Sequence, residues 1–227
     1  MSETNHIRTL IADLGTADSD RQEQAVEALI KIGSPAVLPL IDAVYDGDAV
    51  VCANAIEALG MIGDERAIGP LIVALQDSEA SVVIAAINAL RRIGDPRAVQ
   101  PLIMFLSADD IYIHFNATHA LGQIKHIQTV EALLEVIESD DANVRHGSAV
   151  ALGRIGDQRA VEPLLRLLHD AETKVRYSAV YALGDIAAPL DDRVIESLRP
   201  LLHDPDTNVS NAAREALEKL SGISPIS

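Results

Sequence analysis

The chain has 227 residues, a formal net charge of −16, 48% hydrophobic and only 3% aromatic residues, and one cysteine. An acidic field of that size repels nucleic-acid phosphates and anionic lipid, and a lone Cys52 forms no intrachain disulfide and no cysteine-rich metal site. The start, MSETNHIRTL, lacks a charged-then-apolar targeting pattern, and no apolar run is long enough for a membrane helix, so a cytoplasmic location without membrane contact is expected.

The first predicted element is a helix over residues 4–15, in which Thr9-Leu10-Ile11 aligns with Pro39-Leu40-Ile41 of the next unit. From there one leucine recurs as Leu29, Leu59, Leu90, Leu121, Leu152, Leu183 and Leu217. The spacings are 30, then 31 four times, then 34, the last stretched around Ala187-Ala188-Pro189. A fixed period of this length marks a stacked repeat rather than a single globular core. The units fall at about 4–33, 34–63, 64–94, 95–125, 126–156, 157–188 and 189–221, with a tail at 222–227.

Each unit holds two helical patterns. The first runs through Arg-Ala-Val-x-Pro-Leu, as from Arg159 to Asp170, and its proline (Pro39, Pro70, Pro101, Pro163) removes one backbone hydrogen bond and is expected to bend the helix. The second carries a buried stripe such as Val144, Ser148, Ala151/Leu152 and Ile155. Gly63-Asp64, Gly94-Asp95 and Gly156-Asp157 stop one helix and cap the next. Nothing alternates with a period of two. The fold class expected is an all-α solenoid, a superhelix of about seven helix pairs and roughly fourteen helices, forming a single domain.

The pattern Pro-Leu-x-x-x-Leu-x-Asp followed by Val-Arg-x-x-Ala-x-x-Ala-Leu-Gly resembles HEAT repeats of the phycobilisome-lyase-like type over essentially the whole chain. The resemblance implies that the proline-bearing helices line a convex side and the Val-Arg helices a concave side. It also implies an Asp–Arg ladder between neighbouring repeats. In this chain the arginine column reads Gln22, Cys52, Val83, His114, Arg145, Arg176 and Ser210. The aspartate column reads Thr16, Asp46, Asp77, Ala108, Ser139, Asp170 and Asp204, so the expected ladder, Arg145, Arg176 and Asp170, is confined to the later repeats.

Positions two and six after each repeat's first valine share a helix face opposite the buried stripe. They read Glu23/Glu27, Ala53/Glu57, Ile84/Asn88, Phe115/His119, His146/Val150, Tyr177/Tyr181 and Asn211/Glu215. The core alanines of the same helix barely vary, whereas this column swings from Glu to Phe, as an exposed position does. Half of all aromatic residues sit in it, beside arginines, and aromatics with arginine dominate binding hot spots. The expected partner-binding strip is Ile84, Phe115, His119, Arg145, His146, Val150, Arg176, Tyr177 and Tyr181, on the concave face.

No catalytic constellation is present: there is no Gly-x-Ser-x-Gly elbow, phosphate loop or dinucleotide fingerprint. His114 and His119 are too far apart around a helix to share an ion, and His119 with His146 lacks a carboxylate ligand, so no metal site is expected. Deoxyhypusine hydroxylase, another HEAT-type relative, binds iron through His-Glu pairs, and no histidine here precedes a glutamate. Cys52 is expected as an inert, half-exposed thiol. The function expected is a non-catalytic scaffold for a protein partner, with no resident cofactor. The alternative implied by the resemblance is lyase-like handling of a bilin, with propionates on Arg145 and Arg176 and rings on Phe115, Tyr177 and Tyr181.

Overall fold

Glycine and aspartate punctuate the chain where the repeat places them. The computed structural model describes residues 3–187 and 191–221, so most of the stretched spacing before the last repeat, and the tail at 222–227, lie outside the described residues. Among the described residues there are fourteen α-helices and no strand. They alternate between an outer and an inner helix. The outer helices are α1 (Glu3–Asp13), α3 (Val37–Asp46), α5 (Ile68–Ala74), α7 (Val99–Ile103), α9 (Ile127–Val136), α11 (Val161–Leu167) and α13 (Asp192–Leu198). The inner ones are α2 (Ser19–Ile32), α4 (Ala49–Ile62), α6 (Ala80–Ile93), α8 (Ile111–Gln123), α10 (Ala142–Ile155), α12 (Thr173–Ile186) and α14 (Thr207–Leu220). The architecture is an α-solenoid.

Contacts cluster into two compact units that divide within the fourth repeat. Unit 1 is Met1–Leu102 with Asp110–Ala120, and unit 2 is Ile103–Asp109 with Leu121–Ser227. Within unit 1, α3 packs on α4 and α4 on α6; within unit 2, α10 packs on α12 and α12 on α14. The core is aliphatic. Leu29, Leu59, Leu90, Leu121, Leu152 and Leu183 of the repeating column are all fully buried.

The turns use two devices together. Gly63, Gly94 and Gly156 take φ of 74°, 72° and 79° and end α4, α6 and α10, a left-handed backbone that costs a side-chain-bearing residue about 1 kcal/mol or more. The following Asp64, Asp95 and Asp157 accept a hydrogen bond from the backbone N–H two residues on, which belongs to Arg66, Arg97 and Arg159. Each arginine then folds back and binds the same carboxylate through Nε and Nη2, at 2.7–3.0 Å. The side-chain bond from Arg66, with its backbone N–H, pulls the Asp64 carboxyl down to about 2. His126 takes the aspartate's place in the fifth repeat and still caps, its Nδ1 accepting from Gln128 N–H at 3.3 Å.

Prolines act differently from the expected bend. Pro39, Pro70, Pro101 and Pro163 each occupy the third position of their α-helix, where the N–H has no partner within that helix anyway. The preceding turn is a 3-10 segment in each case, Ser34–Ala36, Glu65–Ala67, Pro96–Ala98 and Gln158–Ala160. The missing donor is met by a change of helix type at the helix start.

Ser148 and Thr129 stand in columns that carry alanine in other repeats and are fully buried. Neither hydroxyl has a hydrogen-bond partner among the described residues. An unpaired buried hydroxyl costs about 1–3 kcal/mol, and alanine fits where the neighbouring repeats carry it. Ser148→Ala should therefore raise stability by roughly 1 kcal/mol, read as a higher urea midpoint. An unchanged or lower midpoint would mean that the hydroxyl is satisfied in solution.

Candidate partner-binding face

Residues of unit 2 that the sequence assigns to one column come together in the structure. His146 and Val150 on α10 and Tyr177 and Tyr181 on α12 line a groove of about 290 Å³ between the two helices. Gly153, Arg154, Ser178, Ala182 and Asp185 complete its lining. The floor is set by close approach: a Cβ placed on Gly153 would lie 2.9 Å from Ala182 Cβ. Tyr177 and Tyr181 are 39% and 56% exposed, with ring centroids 6.3 Å apart in a stacked arrangement. A second hollow of about 130 Å³, between α12 and α14, shares Tyr181 and Asp185 with the first. His146 and Val150 are partly buried, and His146 Nδ1 lies 3.3 Å from the Lys174 carbonyl oxygen.

The ladder is present in unit 2. Arg145 grips Asp170 through Nε and Nη2 at 2.7 and 2.9 Å, while its Nη1 donates to the carbonyls of Ser139 and Asp140. Arg176 repeats the pattern one unit on, with Asp204 at 2.8 and 3.0 Å and the carbonyls of Asp170 and Ala171. Four of the five guanidinium N–H donors are thus used inside the fold in each case. Arg145 and Arg176, expected both as ladder and as contact residues, spend these donors in the first role. Their side chains are only 15% and 13% exposed.

Burial alone would raise the Asp170 carboxyl; the Arg145 bonds, the Glu172 N–H and the two arginine charges outweigh it and hold it below the usual carboxylate range. Asp204 is lowered by the Arg176 hydrogen bond, against a smaller burial penalty. A depressed folded-state pKa contributes stability that is fully present above the unfolded value of about 3.9 and lost as pH falls through the folded value.

In unit 1 the arginine column is filled otherwise. Gln22 Nε2 donates to the carbonyls of Leu14 and Thr16 at 2.9 and 3.2 Å, and Asn54 Nδ2 donates to Leu14 at 2.9 Å. Cys52, expected half-exposed, is 4% exposed and donates its thiol to the Val44 carbonyl at 3.4 Å. It points inward because it stands in the column whose long side chains reach back to the preceding turn. Burial, and then the Asp77 charge, push its thiol pKa up, away from reactivity.

Ile84, Phe115 and His119, the remaining members of the expected strip, belong to unit 1. Ile84 on α6 is half-buried; Phe115 on α8 is 57% exposed, its ring 6.2 Å from that of His119. Unit 1 also has an acid-lined groove of about 390 Å³ between α2 and α4, where Glu23, Glu27 and Glu57 surround Val26, Ile30 and Met61. A further hollow of about 480 Å³ lies between outer helices α1 and α3, lined by Ile7, Arg8, Ile11, Pro39 and Asp42 among others, far from the contact column in the repeat. The sequence reading missed this hollow, and it missed Asp185, whose ion pair with Lys219 at 2.6 Å joins α12 to α14. Among the described residues no three His, Cys, Asp or Glu side chains are grouped to hold a metal ion, and no single helix is long and apolar enough to cross a membrane.

With this geometry in hand, a family model of HEAT repeats matches residues 37–122, 103–184 and 161–225. The chain belongs to the HEAT-repeat family. No curated protein matches it. Among solved structures, it is similar to a chain in the structure of Kap95p bound to RanGDP, at 16% identity and TM-score 0.70, over 97% of this chain and 36% of that one. It is also similar to the YibA protein of Escherichia coli, at 18% identity and TM-score 0.56, covering 96% and 82% of the two chains. The complex of CpcE and CpcF of phycocyanin lyase from Nostoc sp. PCC7120 aligns at 22% identity and TM-score 0.49, over 94% of each chain. Such identities speak to the fold alone.

The ladder makes a specific pH prediction. Urea midpoints should be flat from pH 7 to about 5 and fall below about pH 4, as Asp170 and Asp204 protonate. Asp170→Asn should cost about 1–3 kcal/mol at pH 7, the pair being mostly but not wholly buried, and should make the acid decline shallower. Equal acid declines in the two proteins would show that the ladder contributes nothing.

Proposed function

We propose that this HEAT-repeat chain is a non-catalytic scaffold that binds a protein partner on its inner-helix face, chiefly through unit 2. The observation that carries this reading is the pair Tyr177 and Tyr181. In a chain with four tyrosines and two phenylalanines, two tyrosines are held exposed and stacked along a groove. Packing does not require them there, since Glu27, Glu57 and Glu215 fill equivalent positions in other repeats. Exposed aromatics beside a groove with a small-residue floor are what interface anchors need.

The tetrapyrrole alternative draws less support. The arginines it assigns to propionates, Arg145 and Arg176, are held by Asp170 and Asp204.

The test is quantitative capture of partners by the purified chain. Wild type and Leu38→Ala, an exposed outer-helix control, should retain the same partner. Tyr177→Ala combined with Tyr181→Ala should lose it by at least about tenfold, with the urea midpoint nearly unchanged because both rings are largely exposed. Retention of every captured protein by the double variant would overturn the reading, and a visible absorbance shift on adding a linear tetrapyrrole would favour the alternative.

A further inference from the structure

The groove between α10 and α12 carries more chemical detail than the presence of two tyrosines. The chain holds 34 acidic and 18 basic residues, so cations generally find carboxylates within it. Arg145 and Arg176 do so in the ladder, and Arg159 and Arg193 at the turns. Arg154 lines the groove and does not: among the described residues it forms no ion pair and no hydrogen bond. Although the residue is exposed, its aliphatic stem lies against Gly122. A Cβ on Gly122 would lie 3.1 Å from Arg154 Cβ and 3.0 Å from its Cδ, so the absent side chain at Gly122 gives the arginine stem its seat.

The other charges around the groove are accounted for. Asp185, at the same end, is paired with Lys219 at 2.6 Å. His146, at the opposite end, is engaged with the Lys174 carbonyl oxygen. Glu215 lies beyond Tyr181 in the neighbouring hollow. The charge left for a ligand to complement is therefore positive and sits at one end of an apolar and aromatic channel. Tyr177 and Asp185 are eight residues apart on one helix, a rise of about 12 Å, which three or four residues of extended chain span. The whole protein is strongly acidic, so a polyanion is repelled at long range while a single carboxylate beside an apolar group is matched locally.

We propose that this groove binds an extended internal polypeptide segment in which an aliphatic or aromatic side chain lies within about two residues of an Asp or Glu. The apolar side chain lies against Val150, Tyr177 and Tyr181, and the carboxylate pairs with Arg154. The proposal rests on the protein-scaffold reading above and specifies the partner's chemistry.

The experiment is selection of random dodecapeptides displayed with their C-termini fused, so that no terminal carboxylate is offered, on immobilised wild type and on Arg154→Glu. Wild type should enrich peptides with an acidic residue at fixed short spacing from Leu, Ile, Phe or similar. Arg154→Glu should enrich Lys or Arg at that same position. The best wild-type peptide, synthesised and measured by fluorescence anisotropy, should lose at least about tenfold in affinity to Arg154→Gln and to Tyr181→Ala. Circular dichroism checks that these exposed-site variants stay folded. Enrichment without acidic preference, or the same acidic preference on Arg154→Glu, overturns the proposal. If such peptides still require Tyr181, the scaffold reading survives alone. If no peptide is enriched, or binding ignores both Arg154 and Tyr181, this proposal falls and the groove loses its role as a peptide site.

Discussion

An α-carbon without a side chain on one inner helix, set against an alanine on the next, is the contact on which both units depend. Gly60 faces Ala89 in unit 1, and in unit 2 Gly153 faces Ala182 and Gly184 faces Ala216. At each site an added Cβ would come within 2.7–3.1 Å of the facing alanine. Close approach of this kind maximises dispersion contact along the helix pair without bulky side chains. It accounts for a composition rich in alanine and poor in aromatic residues. It also leaves the next face of each inner helix turned away from the core, where side chains are free to vary, and it makes the floor of the groove in unit 2.

Polar interactions then set the register of what small residues bring together. In unit 2 a bidentate Arg–Asp pair ties α10 and another ties α12 to the following turn, and the same arginines bind carbonyls of their own turns. Exposed pairs on the outer side, Arg166 with Glu138 and Arg193 with Glu162, span the same repeat distance but are well solvated, and exposed pairs contribute little. Unit 1 reaches its turn carbonyls with amides and a thiol instead. Unit 1's bonds reach the carbonyls of Leu14, Thr16 and Val44 and unit 2's those of Ser139, Asp140, Asp170 and Ala171, and among the described residues only unit 2 couples that task to mostly buried Arg–Asp pairs. The arrangement has a structural consequence: Arg145 and Arg176 are largely taken up inside the fold, while Tyr177, Tyr181 and Arg154 line the groove with exposed side chains.

Much of this was legible in the sequence because the repeat acts as its own comparison. The leucine column, the Gly-Asp turns and the paired helices stand where the period puts them, since each depends on local chemistry within one unit. That one column stays out of the core was legible in the same way: Glu27, Val150 and Tyr181 cannot all fill one core site, and none of them is buried. What sequence left open were matters of reach across repeats. Which carboxylate an arginine meets depends on how neighbouring helices are rotated, so Arg145 and Arg176 fitted two roles equally well, and Asp185 drew no notice until Lys219 was beside it. Cys52 was misplaced because exposure in its column is set by side-chain length: an arginine extends to the next repeat, whereas a thiol stops at its own turn. The prolines were misread for a related reason, since the helix start lies two residues before them and not a turn earlier.

The central claim, that close small-residue contacts between inner helices build the face, is tested most directly by one substitution made at two helical glycines. Gly69 on α5 has open space around a would-be Cβ, and the equivalent positions carry Leu38, Gln100 and Glu162. Gly69→Ala should raise stability by up to about 1 kcal/mol through helix propensity. Gly153→Ala gains the same propensity, but its Cβ would meet Ala182 at 2.9 Å, so it should lower stability by about 1–3 kcal/mol. Opposite signs in the two urea titrations are the predicted result. Stabilisation by both substitutions would contradict the account.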